Sequence, residues 1–271
     1  MTASEGVRRY YDANTRKFLL AGSQRTIHRE LWGPGVTSRS AAAHHAHALV
    51  FGELRPEDRR VLDLGCGVGT AALYLAERRP VEVLGISISP EQIPLAERYA
   101  ARAPALLGSV AFREADFTSL PADVTGFDLA FAIEAFVHAA SAAAFFREAA
   151  RALRPGGVLV VIDDVLVSTA ADSRLEDFRS GWNVSSLVSV TEAARLAGGA
   201  GLDLVRSVDL SPLQRLGRPR DRLIRLARPV LRGLRRRSPW AQALVGGDAL
   251  QQSHLAGLVE YRLLRFTRRP G

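Results

Sequence analysis

Val61-Leu-Asp-Leu-Gly-Cys-Gly-Val-Gly-Thr70 is the stretch of sequence that decides the fold. It begins as an apolar, strand-like run with one acidic residue, Asp63, and then turns through alternate glycines: Gly65, Gly67 and Gly69. Glycine has no Cβ, so the turn can be tight and a ligand can approach the N-terminus of the next helix. The spacing differs from the G-x-G-x-x-G of dinucleotide-binding folds, because Thr70 stands where the third glycine would be. An unpaired charge in an apolar strand is costly, so Asp63 is expected to have a cationic or hydrogen-bond-donating partner.

Strand-like and helix-like segments alternate from residue 59 onwards. The predicted strands are 59–64, 81–86, 109–114, 127–133, 156–163, 203–208 and 260–267. The predicted helices between them lie near 69–78, 90–103, 140–153 and 190–199. Ser89 and Pro90 are typical of an N-cap and a first helical turn. Alternation of this kind predicts an α/β, Rossmann-like fold with a mostly parallel, seven-stranded sheet.

The regions outside this alternating pattern predict two additions to the core. Residues 1–55 are expected to form an N-terminal helical cover, with a break at Trp32-Gly-Pro-Gly35 and a second helix from about 38 to 51. The Rossmann-like core would span 56–211, and a basic helical insertion or lid would span 212–255. The final strand of the sheet would then lie in 256–271.

The composition is that of an ordinary globular enzyme, with 271 residues, 47% hydrophobic and 24% charged. We expect no signal peptide and no membrane span, because no long uninterrupted apolar run occurs. Cys66 is the only cysteine, which excludes an intrachain disulfide and favours a cytoplasmic location. A histidine cluster, formed by His44, His45 and His47, has no acid or cysteine to complete a metal site, so no metal is expected.

The positive charge is concentrated in one segment. Residues 215–237 contain ten arginines and one aspartate, a local charge of +9, so the formal net charge of +8 leaves about −1 for the rest of the chain. Enzymes that act on nucleic acids more often spread basic charge over a binding face. We therefore expect no nucleic-acid partner, and the basic segment needs its own explanation.

The basic segment has an amphipathic pattern. One stripe contains Leu223, Leu226, Ala227, Val230, Leu231 and Leu234, and the arginines that lie away from it are Arg222, Arg225, Arg232 and Arg236. Pro229 would kink the helix or split it. Three interpretations stay open. The stripe packs on the core, or Arg218, Arg222 and Arg225 clamp an anionic substrate, or the segment lies on an anionic membrane.

The D-L-G-C-G-x-G-T string resembles motif I of the class I S-adenosylmethionine (SAM)-dependent methyltransferases. This resemblance implies the class I methyltransferase fold, SAM as the cofactor, and a loop that holds the methionine half of SAM. The implied SAM contacts are Asp63, Gly65, Cys66, Gly67 and Gly69. Gly85-Ile-Ser-Ile-Ser-Pro-Glu-Gln92 resembles a string found in cyclopropane fatty acid synthases and tocopherol C-methyltransferases. Further SAM contacts implied by the resemblance are Ser87, Ile88 and Gln92 at the ribose, with Asp116 and Phe117 at the adenine.

An acid and a histidine lie four residues apart at the end of the fourth predicted strand, in Phe131-Ala-Ile-Glu-Ala-Phe-Val-His-Ala139. This place faces the ligand crevice of a parallel sheet. The segment resembles the A-I-E-A-x-x-H-A of sterol C-methyltransferases. It departs from cyclopropane synthases at Val137, where those enzymes have a bicarbonate-binding Glu. By this resemblance Glu134 is the first candidate for a base or for stabilisation of a carbocation, and His138 is the second.

Aromatic side chains supply the candidate acceptor contacts. Tyr10-Tyr-Asp12 resembles the Y-Y-D opening of the same methyltransferase group, whose first helix closes over SAM and substrate. The candidates are Tyr11, Trp32, Trp182 and Tyr261, and core packing explains each of them equally well.

The expected function is SAM-dependent methylation of a hydrophobic small molecule. C-methylation of an isoprenoid alkene, such as a prenyl diphosphate, is the first hypothesis. The alternatives are O- or N-methylation of a natural product and a non-catalytic SAM-binding scaffold. The sequence is compatible with a homodimer and does not fix the oligomeric state.

Overall fold

The structure, a computed structural model, describes residues 3–21, 26–235 and 237–270. Its strands are β1 (Arg60–Leu64), β2 (Glu82–Ser87), β3 (Ser109–Glu114), β4 (Phe127–Ile133), β5 (Leu153–Leu166), β6 (Leu202–Asp209) and β7 (Val259–Arg268). Its α-helices are α1 (Ala3–Ala21), α2 (Arg39–Phe51), α3 (Thr70–Ala76), α4 (Ile93–Ala100), α5 (Ala142–Ala152), α6 (Ser173–Trp182), α7 (Val190–Gly199), α8 (Pro219–Leu234) and α9 (Pro239–Leu255).

The strands form a seven-stranded sheet with the order β3-β2-β1-β4-β5-β7-β6. All neighbouring pairs from β3 to β5 are parallel, and β7 is antiparallel to both β5 and β6. The predicted α/β fold with a mostly parallel sheet is therefore confirmed. The strand order reverses between β1 and β4, and the crevice at such a switch point is where open α/β sheets bind ligands.

The core lies on both faces of the sheet, because the central strands are apolar almost without interruption. One face packs a cluster of aromatic rings from β7, from α5 and from the short 3₁₀ turn Phe136–His138. Its large members are Phe136, Phe145, Phe146 and Phe266. The other face of the sheet packs against α2 and α3.

Two boundaries differ from the prediction for local reasons. The predicted helix region 90–103 contains α4, but the helix begins only at Ile93. The Ser89 hydroxyl donates to the Asp12 carboxylate over 2.5 Å and does not cap the helix. β5 begins at Leu153, earlier than predicted, through an irregularity in its pairing with β4. Helix α6 was not predicted, because its sequence lacks a clear apolar period.

The expected cover and insertion are helical in the structure. Helix α6 packs closely on α9, and a Cβ at Gly181 would lie only 2.4 Å from the Cα of Gly246. The predicted insertion, 212–255, contains α8 and α9. No helix of the described ranges is both long and apolar enough to cross a bilayer.

The face that helix α8 exposes to solvent is the one that one of the predictions placed against the core. Three arginines of α8, Arg225, Arg228 and Arg232, pair with the buried carboxylates of Asp177 on α6 and Asp248 on α9. The apolar stripe faces solvent, with Leu226 78% exposed. The prediction that this stripe packs on the core is therefore wrong, and the predicted split at Pro229 is also wrong, because the helix continues through it. Arg236 lies outside the described residues.

Candidate active site

A cavity of about 280 Å³ lies at the carboxyl ends of β1, β2 and β4. It is enclosed by the loop after β1, by α1 and by the segment around Ile27. Apolar and aromatic side chains make up most of its wall. Nine of the ten predicted SAM contacts line it: Asp63, Gly65, Cys66, Gly67, Ser87, Ile88, Gln92, Asp116 and Phe117. Both predicted catalytic residues, Glu134 and His138, line it as well.

The glycine loop has a backbone that only small residues can form. Gly65 has a φ of 104°, and a Cβ there would lie 2.4 Å from the Cβ of Ala135. Gly69 does not line the cavity. It is the N-cap of α3, with a φ of 81°, and a Cβ there would clash with the ring of Phe112. Gly67 has a φ of 54°, and a Cβ there would meet Ile27 Cδ1 at an ordinary van der Waals distance of 3.7 Å.

Asp63 is a buried carboxylate at the floor of the cavity, 2% exposed. Its Oδ2 atom has no hydrogen-bond partner among the described residues, and burial raises the pKa of Asp63 well above its ordinary value. A ligand with a cationic nitrogen would supply the missing partner. Burial also raises the pKa of the neighbouring Cys66 thiol, so a protonated, small side chain accounts for this residue.

Helix α1 is tied to the loop after β2 by a polar network. The Ser87 hydroxyl donates to Gln92 Oε1 over 2.7 Å, and Gln92 Nε2 donates to the Thr15 hydroxyl over 3.1 Å. Helix α1 is also tied to the segment after β3, because Asp116 Oδ2 accepts from the Ser4 hydroxyl over 2.6 Å. The sequence predicted that the first helix closes over the site, but it did not identify Ser4 and Thr15 as the residues that fasten it.

Gly67→Ala is expected to weaken SAM binding by at least about tenfold, because the added methyl group enters the space through which a ligand approaches the backbone. The protein itself has room for the methyl group, so stability should fall by only about 1–2 kcal/mol from the left-handed backbone. Gly156→Ala is the matched control, with a φ of 74° and nothing within 4 Å of the added Cβ. Isothermal titration calorimetry measures both variants, and equal SAM affinity in the two would contradict the placement.

Glu134 lies in a network that fixes one of its oxygens. Its Oε1 accepts from the backbone N–H of Arg29 and from Arg29 Nε, each over 2.9 Å, and from the Tyr261 hydroxyl over 3.0 Å. Its φ of 50° is unusual for a residue with a side chain. The carboxylate is therefore held at the end of β4 by partners from two other parts of the chain.

The same arginine continues the network into the protein interior. Arg29 donates from Nη1 and Nη2 to the two oxygens of Asp164, over 3.0 Å and 2.8 Å. His254 Nε2 lies 2.8 Å from Asp164 Oδ1. Burial by itself would raise the pKa of Asp164, but Arg29 and His254 hold it below its ordinary value. Sequence analysis missed Arg29, Asp164 and His254, because no local motif links residues so far apart in the chain.

His138 is a buried imidazole in the cavity wall, 6% exposed. Its Nδ1 atom has no hydrogen-bond partner in the described part of the chain. Burial lowers the pKa of His138 to about 4, although backbone hydrogen bonds at Asn183 and Trp182 oppose the shift. The ring meets that of Tyr11 edge-on, with 5.5 Å between centroids. His138 is therefore neutral at ordinary pH, with a basic nitrogen available to a ligand.

The predicted acceptor contacts fall into two groups. Tyr11 and Trp182 line the cavity, and Trp182 is oriented by its Nε1, which donates to the Ala243 carbonyl over 2.9 Å. The other predicted contacts are not among the described lining residues: Trp32, Tyr261, Arg218, Arg222 and Arg225. The Tyr261 hydroxyl instead donates to Glu134 Oε1.

The arginines of the basic segment and Trp32 make contacts outside the cavity. Arg218 pairs with Glu30 over 3.2 Å, and Arg225 pairs with Asp248 over 3.4 Å. Arg222 is exposed. The guanidinium group of Arg215 stacks on the Trp32 ring, 3.5 Å from its centroid.

The histidine cluster forms a chain of hydrogen bonds. His28 Nε2 lies 2.7 Å from His47 Nε2, and His47 Nδ1 lies 3.1 Å from His44 Nδ1. Burial lowers the pKa of the His28, His44 and His47 imidazoles. The chain joins α2 to the segment that carries Arg29, and no group of metal-ligating side chains occurs within the described ranges. The expected absence of a metal stays a prediction.

The strand order, the glycine loop after β1 and the cavity at the switch point together define the fold of the class I SAM-dependent methyltransferases. Residues 62–161 match the family described as "Methyltransferase domain". The chain is 30% identical over 210 residues to the sterol 24-C-methyltransferase erg-4 of Neurospora crassa, which covers 75% of this chain and 55% of the relative. The chain therefore contains a methyltransferase domain and is similar to sterol C-methyltransferases, as its motifs predicted.

Two further relatives extend this comparison. Methyltransferase GfsG of Streptomyces halstedii is 37% identical over 155 residues, which is 56% of this chain and 55% of that protein. The chain spans about half the length of the curated relatives it matches. The crystal structure of the [4+2]-cyclase SpnF is similar over 100% of this chain and 97% of that chain, with a TM-score of 0.78 and 25% identity.

The residues that line the cavity fit the chemical groups of SAM. The buried Asp63 carboxylate, which has an unpartnered oxygen, fits a cationic amino group, and the open backbone at Gly67 fits a close ligand. Ser87 and Gln92 offer hydroxyl and amide groups, and Phe117 offers an apolar ring. These residues would hold SAM.

Proposed function

We propose that this chain methylates an uncharged, hydrophobic small molecule, and that the acceptor is an isoprenoid alkene methylated at carbon. His138 would take the proton that the product must lose. The observation that carries the proposal is the neutral His138 imidazole, unpartnered at Nδ1, in a mostly apolar cavity wall. Sterol C-methyltransferase relatives support methylation at carbon.

The cavity residues divide the chemistry among them. SAM supplies an electrophilic methyl group when bound. The alkene π-electrons would form the new C–C bond as the S–CH₃ bond breaks and S-adenosylhomocysteine leaves, and the adjacent acceptor carbon would carry a positive charge. The aromatic faces of Tyr11 and Trp182 and the Glu134 carboxylate would stabilise this charge. His138 then removes a proton from a neighbouring carbon and restores a double bond.

The hydrogen bonds of the two catalytic candidates support different roles for them. Glu134 Oε1 already accepts three hydrogen bonds from Arg29 and Tyr261, which suits a fixed negative charge better than a mobile base. His138 has the unpartnered basic atom. We therefore assign electrostatic stabilisation to Glu134 and proton removal to His138.

The charge of the cavity wall favours a neutral acceptor over a diphosphate. The described lining residues include neither arginine nor lysine, and the arginines that were candidates for a diphosphate clamp are paired elsewhere or exposed. A buried diphosphate would need cationic partners there.

O-methylation is the second candidate, and the same imidazole favours it. A hydroxyl group on the acceptor would donate to the unpartnered Nδ1 of His138, and the imidazole would take the hydroxyl proton as the O–CH₃ bond forms. This reaction needs no stabilisation of a carbocation.

Product analysis with SAM and paired acceptors tests the proposal. Each pair consists of a neutral isoprenoid alkene and the corresponding alcohol, and mass spectrometry with proton NMR locates the added CH₂ unit. A new C–CH₃ on the alkene that Glu134→Gln and His138→Gln each reduce would support carbon methylation. A methoxy signal would support the second candidate. SAM binding by calorimetry without any product would indicate a scaffold.

A further inference from the structure

We propose that helix α8 is a membrane-docking surface for anionic lipid. The docking stripe consists of exposed apolar side chains spaced three or four residues apart, so that they share one helix face. These are Leu223, Leu226, Val230 and Leu234, which are 67%, 78%, 67% and 47% exposed. Such a contiguous apolar stripe on a helix surface marks an interaction site. This inference does not depend on the identity of the methyl acceptor.

Ion pairs between the arginines of the basic segment and two buried acids keep the stripe facing outward. Asp177 on α6 pairs with Arg228 over 2.8 Å, with Arg235 over 3.3 Å and with Arg232. Asp248 on α9 pairs with Arg228 over 3.2 Å. Both acids are nearly inaccessible to solvent, at 8% and 4% exposure. Rolling α8 to bury its leucines would break these pairs and leave buried carboxylates without a cation, which is strongly unfavourable.

The charges beside the stripe select an anionic partner. Arg220 and Arg222 are exposed next to it, and neither forms an ion pair with any described residue. The single acid of the helix, Asp221, accepts from the backbone N–H of Arg218 over 2.8 Å and caps the N-terminus. An amphipathic helix with apolar residues between arginines is the pattern of helices that lie in the interface of anionic bilayers.

A second copy of the chain fits the stripe less well. Symmetric pairing of two α8 helices would bring the same arginines face to face, and like charges oppose such contact. The stripe also has only four apolar side chains, whereas a stable protein interface uses roughly 20–30 residues a side. A bilayer needs no matching surface.

Helix α8 is connected to the cavity through α6, so membrane docking would bring the cavity close to the bilayer. Helix α6 carries Asp177, which holds α8, and also Trp182, which lines the cavity. A membrane contact at α8 would therefore place α6, and the part of the cavity wall that α6 forms, beside the bilayer, where hydrophobic acceptors concentrate.

Vesicle flotation with the full chain tests the proposal. We expect binding to mixed phosphatidylcholine–phosphatidylglycerol vesicles, little binding to pure phosphatidylcholine, and release in high salt. Leu226→Ser/Val230→Ser should lower the partition coefficient at least about tenfold. Arg220→Ser/Arg222→Ser should lower it about fivefold for each arginine. The matched control is Leu107→Ser/Arg102→Ser, which changes a leucine and an arginine that are both exposed before β3 and should leave binding unchanged.

Two results would overturn the proposal. One is equal binding of the wild type to anionic and neutral vesicles, or binding that the α8 variants do not reduce. The other is a concentration-dependent dimer in sedimentation velocity that Leu226→Ser/Val230→Ser abolishes, which would assign the stripe to a second copy. Circular dichroism and SAM affinity establish that each variant is folded.

Discussion

His138→Gln is expected to lower kcat by roughly 10²–10⁴-fold while SAM affinity stays the same. The side chain lines the cavity, and its unpartnered Nδ1 is the basic atom we assign to proton removal. Glutamine has nearly the same reach but no basic nitrogen, so it separates proton removal from packing. Single-turnover kinetics and calorimetry measure the two quantities on the acceptor found by product analysis.

His45→Gln is the control for this variant. His45 lies outside the cavity, with Nδ1 at 3.1 Å from the Leu31 carbonyl, and its change should leave kcat near the wild-type value. A His138→Gln enzyme with wild-type kcat would refute the assignment of the base and return that role to Glu134.

The pH dependence of the wild type follows from the lowered pKa of His138. Burial lowers this pKa from 6.5 to about 4, so the neutral, basic form persists well below the range in which an ordinary histidine becomes protonated. We expect kcat/KM to stay level as the pH falls through 6.5 and to decline only toward about pH 4, and this decline should be missing in His138→Gln. A midpoint near 6.5 would mean that the imidazole is solvated and not buried.

Local sequence patterns predicted the sheet well and identified residues that the structure brings together around one cavity. Each predicted strand coincides with an observed one, and nine of the ten predicted SAM contacts line the cavity. These features depend on short-range constraints: strand runs, glycines whose positive φ excludes side chains, and residues at strand ends.

The remainder of the site depends on contacts between distant segments. Arg29, Asp164 and His254 come from three separate elements, and no spacing in the chain joins them. The orientation of α8 shows the same limit. Its apolar stripe is visible in the sequence, but the acids that turn it outward, Asp177 and Asp248, lie on other helices. A hydrophobic pattern identifies a face, and only the partners decide whether that face is buried.

Arg29→Met is expected to destabilise the fold by about 3–5 kcal/mol at neutral pH. Arg29 is the cation between the carboxylates of Glu134 and Asp164, and its side chain is only 20% exposed. Its guanidinium also lies over the Tyr261 ring, 4.1 Å from the centroid. Methionine keeps much of the volume but leaves two carboxylates close together without a cation. The free energy of unfolding in urea measures the loss.

The pH dependence of this loss distinguishes charge from packing. In the wild type the pKa of Asp164 lies below its ordinary value. Its ion pairs therefore stabilise the fold fully when the pH is above that ordinary value. This stabilisation is lost as the pH falls through the lowered pKa. Without Arg29, burial would raise the pKa of Asp164, and protonation would then relieve the repulsion as the pH falls. The difference between variant and wild type should therefore narrow between about pH 7 and pH 5.

An exposed ion pair provides the comparison. Arg195 pairs with Glu192 over 2.7 Å on the surface, with the two side chains 67% and 42% exposed. Arg195→Met should cost less than about 1 kcal/mol, with no narrowing toward low pH. If Arg29→Met cost no more than this, or if its cost were the same at every pH, the buried network would not be what holds Glu134 in place. The backbone N–H of residue 29 and the Tyr261 hydroxyl would then be enough to hold the carboxylate.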